Sequence, residues 1–183
     1  LSLALVAAVM LTTVAGCSGK NSDPDNEGAA GSGEYQEEIV IGLANTFTTS
    51  DPQSTASITN TILYRVTHST LLDWDFDKSE YVYDLADSYE MVDPSTYIFH
   101  LNKDAYFHND EPVTADDIIY TFERGREMSY TSAKVGVIKE MIAIDANTIQ
   151  FNLTGPSTNF LMDLTHPNMS ILSKKAMEED GES

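Results

Sequence analysis

Phe107-His108-Asn109-Asp110-Glu111-Pro112-Val113-Thr114-Ala115-Asp116-Asp117-Ile118-Ile119-Tyr120-Thr121-Phe122-Glu123-Arg124 runs from a polar turn into the start of a helix. Thr114 is placed to cap free backbone amides, and Asp116 and Asp117 sit in the first turn against the positive helix end. Ala115, Ile118, Ile119 and Phe122 recur at helical spacing and form the face to be buried. Phe107 and Val113 read as packing residues on either side of the turn. His108, Asp110, Glu111, Asp116 and Asp117 crowd nitrogen and carboxylate donors together, but the turn accounts for Asp110 and the helix start for Asp116 and Asp117. No metal site is assigned there.

On both sides of this stretch the pattern changes to alternation. Residues 86–92 and 96–101 read as a hairpin joined by Asp93-Pro94-Ser95, with Pro94 suited to the second turn position. Residues 141–144 and 148–153 read as another, joined by Asp145-Ala146-Asn147. Short helices are expected near 157–164 and 174–179, and Leu71-Leu72-Asp73-Trp74 reads as a strand end. Further out, residues 55–68 carry Ile58, Ile62, Leu63 and Val66 at helical spacing and predict one amphipathic helix. Ile39-Val40-Ile41-Gly42-Leu43-Ala44 is a β-branched run that predicts a strand covered on both faces. Strands and helices in this order, without an internal repeat, give an α/β or mixed α+β class.

The N-terminus has a different character. Residues 1–16 carry no charge, are too short to span a bilayer, and read as the apolar core of an export signal that is incomplete at its start. They end in Val14-Ala15-Gly16-Cys17, which resembles the lipobox of bacterial lipoproteins, so Cys17 is expected to carry lipid. Residues 17–37 form the lipidated cysteine and a linker poor in large apolar groups, with a reach of about 25 Å for a flexible tether of that length. Folded sequence is expected over 38–183.

With 10 Lys+Arg against 29 Asp+Glu in 183 residues, the formal charge is −19. That balance repels phosphate backbones, so nucleic acid is excluded as a partner. A single cysteine forms neither an internal disulfide nor a cysteine-based zinc cluster. No nucleophile elbow, Walker loop or paired-histidine zinc motif occurs, and four scattered histidines do not make an active site. An enzyme is not expected.

Several separated motifs follow one another as in one family. They are Asp51-Pro52-Gln53, Leu85-Ala86-Asp87-Ser88-Tyr89-Glu90, Tyr97-Ile98-Phe99-His100-Leu101, the stretch from Phe107 to Arg124, Gly155-Pro156-Ser157, His166-Pro167 and Ile171-Leu172-Ser173-Lys174-Lys175-Ala176. From about residue 38 onward the chain resembles the extracellular solute-binding proteins of family 5, which serve ABC importers. Asp110 stands where that family usually has Gly, and Asp tolerates the left-handed backbone such a turn needs.

The resemblance implies the N-terminal part of a two-lobed periplasmic-binding-protein-like fold with the second lobe missing. It implies capture of short peptides for transport, or their sensing as signals on the same scaffold, with nickel complexes or small glycans as other ligands of the family. It implies ABC permease subunits as partners, membrane attachment through the lipid, an extracytoplasmic location, a monomer when full length, and no cofactor. Thr46, Phe47, Thr48 and Thr49, in the loop after the first strand, match family positions that contribute to the ligand cleft. The truncated chain is expected to bind weakly, with residues 39–44 exchanging amide hydrogens fast and the hairpins and Thr114 helix exchanging slowly.

Overall fold

A four-stranded antiparallel sheet forms because two local hairpins meet edge to edge. The computed structural model describes residues 40, 42, 43 and 45–180. β3 (Ala86–Asp93) and β4 (Thr96–Leu101) make the first hairpin, and β5 (Ile138–Asp145) and β6 (Thr148–Leu153) the second. The order is β3-β4-β6-β5, so the central seam pairs β4 with β6, with Phe99 opposite Ile149 and Tyr97 opposite Phe151. Both hairpins stand where the sequence places them. The class is mixed α+β with antiparallel strands, the second of the two arrangements the sequence allows.

Strict alternation on β4 and β6 sends Tyr97, Phe99, Leu101, Ile149, Phe151 and Leu153 to one face, where all are buried. Helix α2 (Ala115–Glu127) lays Ile118 and Phe122 on that face, as its spacing predicts. Helices α3 (Ser132–Val135) and α4 (Phe160–Asp163) add Val135 and Phe160. The centre is aromatic: Phe151 meets Phe99 at 5.6 Å, Phe122 at 5.4 Å and Phe160 at 5.5 Å between ring centroids. Tilted and edge-on pairs of this kind add to the area they bury.

The start of α2 is a reciprocal capping box between Thr114 and Asp117. The Asp117 carboxylate accepts from Thr114 N at 3.0 Å and Thr114 Oγ1 at 2.7 Å, and its other oxygen accepts from the backbone amide of Lys174 at 2.9 Å. One buried acid therefore ties α2 to α5 (Lys174–Asp180). The preceding turn closes by a hydrogen bond from Asp110 N to the Phe107 carbonyl, with Asp110 at φ 64°. That is the left-handed conformation expected at this position.

Three expectations need correction. Of the strand expected over 39–44, positions 40, 42 and 43 are described and belong to no strand, and Val40 is exposed. The other three positions of that run lie outside the described residues. Second, α1 (Ile58–Thr67) forms where the sequence puts a helix but faces the opposite way. Ile58 and Val66 are 78% and 62% exposed, whereas Thr59, Asn60 and Tyr64 are buried. Loop carbonyls explain this, because Asn60 and Tyr64 satisfy them from the helix's polar side. Third, Leu72 is the start of a complete hairpin, β1 (Leu72–Asp75) with β2 (Glu80–Tyr83), whose turn is closed by Ser79 at φ 55°. The expected signal segment 1–16, the expected lipidated Cys17 and the expected linker to residue 37 lie outside the described residues.

Candidate functional site

The main concavity lies beside the sheet and is walled by four short pieces of chain. The segment 49–51, the last turn of α1 with residues 65–69, the turn 106–109, and the approach to α5 at 171–177 enclose about 930 Å³. Apolar lining comes from Leu85, Phe107, Val113, Ile171 and Leu172, and polar lining from the hydroxyls of Thr49, Ser50, Thr67, Ser69 and Ser173. Two imidazoles, His68 and His108, face the same space. A mostly apolar hollow with a few hydroxyls and ring nitrogens suits a small ligand carrying amide and apolar groups.

His68 follows the last turn of α1, where its backbone amide donates to the Tyr64 carbonyl at 2.8 Å. Its ring stands edge-on to Tyr64, with centroids 5.5 Å apart. Thr67 Oγ1 donates to the Leu63 carbonyl at 2.8 Å, and so accepts from His68 Nδ1 at 2.8 Å. This assigns the proton to Nδ1 and leaves Nε2 as the acceptor nitrogen. It also commits the Thr67 hydroxyl, which is not an activated nucleophile. Burial pushes the His68 pKa below its ordinary value, His108 pushes it further, and Asp51 opposes both. At neutral pH the ring is therefore uncharged.

Behind His68 lies a small polar hollow of about 40 Å³ shared by Tyr64, Arg65, Asp73 and Asp84. Burial raises the Asp84 pKa, against hydrogen bonds from the Thr70 amide at 2.7 Å and from the hydroxyls of Ser69 and Thr70. Arg65 Nη1 pairs with Asp73 at 3.2 Å. Among the described residues, no group of three or more His, Cys, Asp or Glu side chains is arranged to hold a metal ion. No helix among them is long and apolar enough to cross a membrane.

The four residues expected to touch ligand are only partly brought together with this cleft. Thr49 lines it, whereas Thr46, Phe47 and Thr48 lie exposed on the run leading to it, Phe47 at 41%. Thr48 Oγ1 donates to Asn60 Oδ1 at 3.3 Å. His68, Tyr106 and the wall at 171–177 are not found by sequence reasoning, because no local pattern links positions that meet only in the folded chain. His108 is singled out in the sequence as a donor and set aside as a metal ligand, yet it lines the cleft.

Residues 80–183 match the model of the bacterial extracellular solute-binding proteins, family 5 (middle region). The chain is 31% identical over 157 residues to the peptide transport periplasmic protein SapA of Salmonella typhimurium, covering 73% of this chain and 28% of that protein. It is 30% identical over 129 residues to the dipeptide-binding protein of Escherichia coli, covering 59% and 24%. Among solved structures, the periplasmic binding protein DppA of Helicobacter pylori in complex with the peptide STSA superposes with a TM-score of 0.64 at 25% identity, covering 72% of this chain and 30% of that one. The chain thus spans roughly a quarter to a third of the length of these relatives. A family match across more than half of the sequence, on an α+β frame shared with solved binding proteins, has one meaning: the chain belongs to the bacterial extracellular solute-binding proteins of family 5.

Proposed function

We propose that the chain is part of the substrate-binding lipoprotein of an ABC importer and that it captures short peptides for transport. The observation that carries this reading is family membership together with relatives named for dipeptide binding and peptide transport. The cleft supports it, since hydroxyls and backbone groups around an apolar floor meet a peptide main chain without regard to its side chains. Thr46 to Thr49 form the exposed approach to that wall and act as ligand contacts. The test is calorimetry on the protein expressed from its complete reading frame, with trialanine and Ser-Thr-Ser-Ala as probes. Saturable binding of either supports the reading. Absence of binding to both removes the peptide class. Phe47→Ala and Thr48→Ala with unchanged affinity remove the contact assignment alone.

The same reading places residues 1–16 as the export signal, Cys17 as the lipidated residue, 17–37 as the tether and 38–183 as binding-protein sequence. Each buried methylene contributes about 0.8 kcal/mol, so several acyl chains hold a protein at a membrane where one does not. Labelled fatty acid should enter the protein and be lost in Cys17→Ala. An unmodified Cys17 in mature, membrane-extracted protein, read by mass spectrometry, removes the anchor.

A further inference from the structure

The segment 49–57 has no regular secondary structure, yet Pro52 is buried and Gln53 fully buried within it. Side chains from three other elements take its polar groups. From α1, Asn60 Nδ2 donates to the Thr49 carbonyl at 2.8 Å, and Tyr64 Oη lies 2.9 Å from the carbonyls of both Thr49 and Asp51. After α4, Asn168 Nδ2 donates to the carbonyls of Pro52 and Thr55. From α2, Arg124 Nη2 pairs with Asp51 Oδ2 at 2.7 Å while Nη1 donates to Gln53 Oε1 at 2.6 Å. Gln53 Nε2 in turn donates to the Thr121 carbonyl of α2 at 2.9 Å.

The packing beneath is equally close. A Cβ at Gly125 would stand 3.3 Å from both Gln53 Nε2 and Thr131 Oγ1, so the helix approaches the loop where it carries no side chain. The guanidinium fork fits this place because it grips two acceptors on neighbouring residues at fixed angles, which an ammonium does not. Arg124 itself does not line the cleft, whereas Thr49, Ser50 and Asp51 do. The clamp holds Asp51 and Gln53 from the α2 side, in the segment whose residues 49–51 form one wall of the cleft.

We propose that Arg124 is a positioning residue for ligand capture, holding the segment 49–57 in one conformation through Asp51 and Gln53 so that the Thr49–Asp51 wall is formed before ligand arrives. This rests on the peptide-binding reading above and deepens it. A wall held ready needs no ordering at the moment of binding. Once released, it is competent only part of the time, and apparent affinity falls by that fraction through the association rate. A lost direct contact, by contrast, raises the dissociation rate.

The experiment compares Arg124→Lys and Arg124→Gln with the unaltered protein, each expressed from the complete reading frame, with trialanine as probe. Stopped-flow binding should show a tenfold or greater fall in association rate for Arg124→Gln, with dissociation nearly unchanged. Arg124→Lys, which keeps the charge and stays folded more readily, should fall between. Hydrogen exchange should speed up at amides within 49–57 while β4 and β6 keep their protection. Unchanged association in a variant whose segment exchanges faster overturns the inference, and so does unchanged exchange. Unaltered protein that fails to bind the peptide overturns the peptide reading and this inference together, whereas binding that Arg124 variants leave intact overturns this inference alone.

Discussion

Asp117 Oδ1 accepts the backbone amide of Lys174 at 2.9 Å, so the acid that caps α2 also begins α5, 57 residues further along. Its other oxygen serves Thr114 twice. Hydrogen bonds to charged groups contribute about 1.5–3 kcal/mol, and a buried donor left without a partner costs a similar amount. Asp117→Ala should lower the unfolding free energy by about 3 kcal/mol in urea titration. Asp117→Asn, which keeps an acceptor, should lose about half as much.

Phe151 is fully buried and touches three other aromatic rings, whereas Ile58 is 78% exposed. Truncating a buried Phe costs about 3–5 kcal/mol, and surface substitutions stay within about 0.5 kcal/mol. Phe151→Ala should therefore nearly unfold the chain in a thermal melt, and Ile58→Ala should leave its midpoint in place. A large loss at Ile58 would contradict the outward orientation of α1.

The pH dependence follows from His68. Burial, and then His108, holds its folded pKa below the unfolded value near 6.5, so the unfolded chain binds more protons in that range. Stability from this group is complete above about pH 6.5 and is lost as pH falls through that value toward the lower folded pKa. His166 shifts the same way, first by burial and then by Lys134 and Arg65. Urea midpoints measured from pH 8 down to 5 should fall, and His68→Gln should flatten part of that slope. A slope identical to the unaltered protein would show that His68 titrates as it does in the unfolded chain.

Asp110 holds φ 64° in the turn before α2. A left-handed backbone costs a residue with a Cβ about 1–2 kcal/mol, less for Asp, and costs Gly nothing sterically. Asp110→Gly should stabilise the chain by about 0.5–1 kcal/mol in urea titration, and Asp110→Val should destabilise it by more than that. Equal stability of all three would mean that the turn is not held in this conformation.

Local signals in the sequence carried most of the frame. Thr114 with Asp117 marks the start of α2, and the two turns at 94–95 and 146–147 mark both hairpins, because each depends on residues adjacent in the chain. The facing of α1 was not legible for the opposite reason. Its apolar stripe suggests one buried side, but the decisive partners are the carbonyls of Thr49 and Asp51, 15 and 13 residues before Tyr64. Gln53 is a sharper case: its complete burial is explained by its bond to the Thr121 carbonyl, 68 residues away, and by the one it accepts from Arg124, 71 residues away, neither of which any local pattern announces. The cleft escapes for the same reason, since His68 and His108 meet only after α1 and the 106–109 turn have docked.

The strand order β3-β4-β6-β5 has a kinetic consequence. Each hairpin closes over a two-residue turn within microseconds, yet a lone hairpin is marginal in water. The seam that secures them joins Phe99 to Ile149, so its loop-closure entropy must be spent before either ribbon is held. The rate-limiting event in forming this sheet is then the encounter of two finished ribbons, and substitutions on β4 and β6 should slow folding while those on β3 and β5 chiefly hasten unfolding.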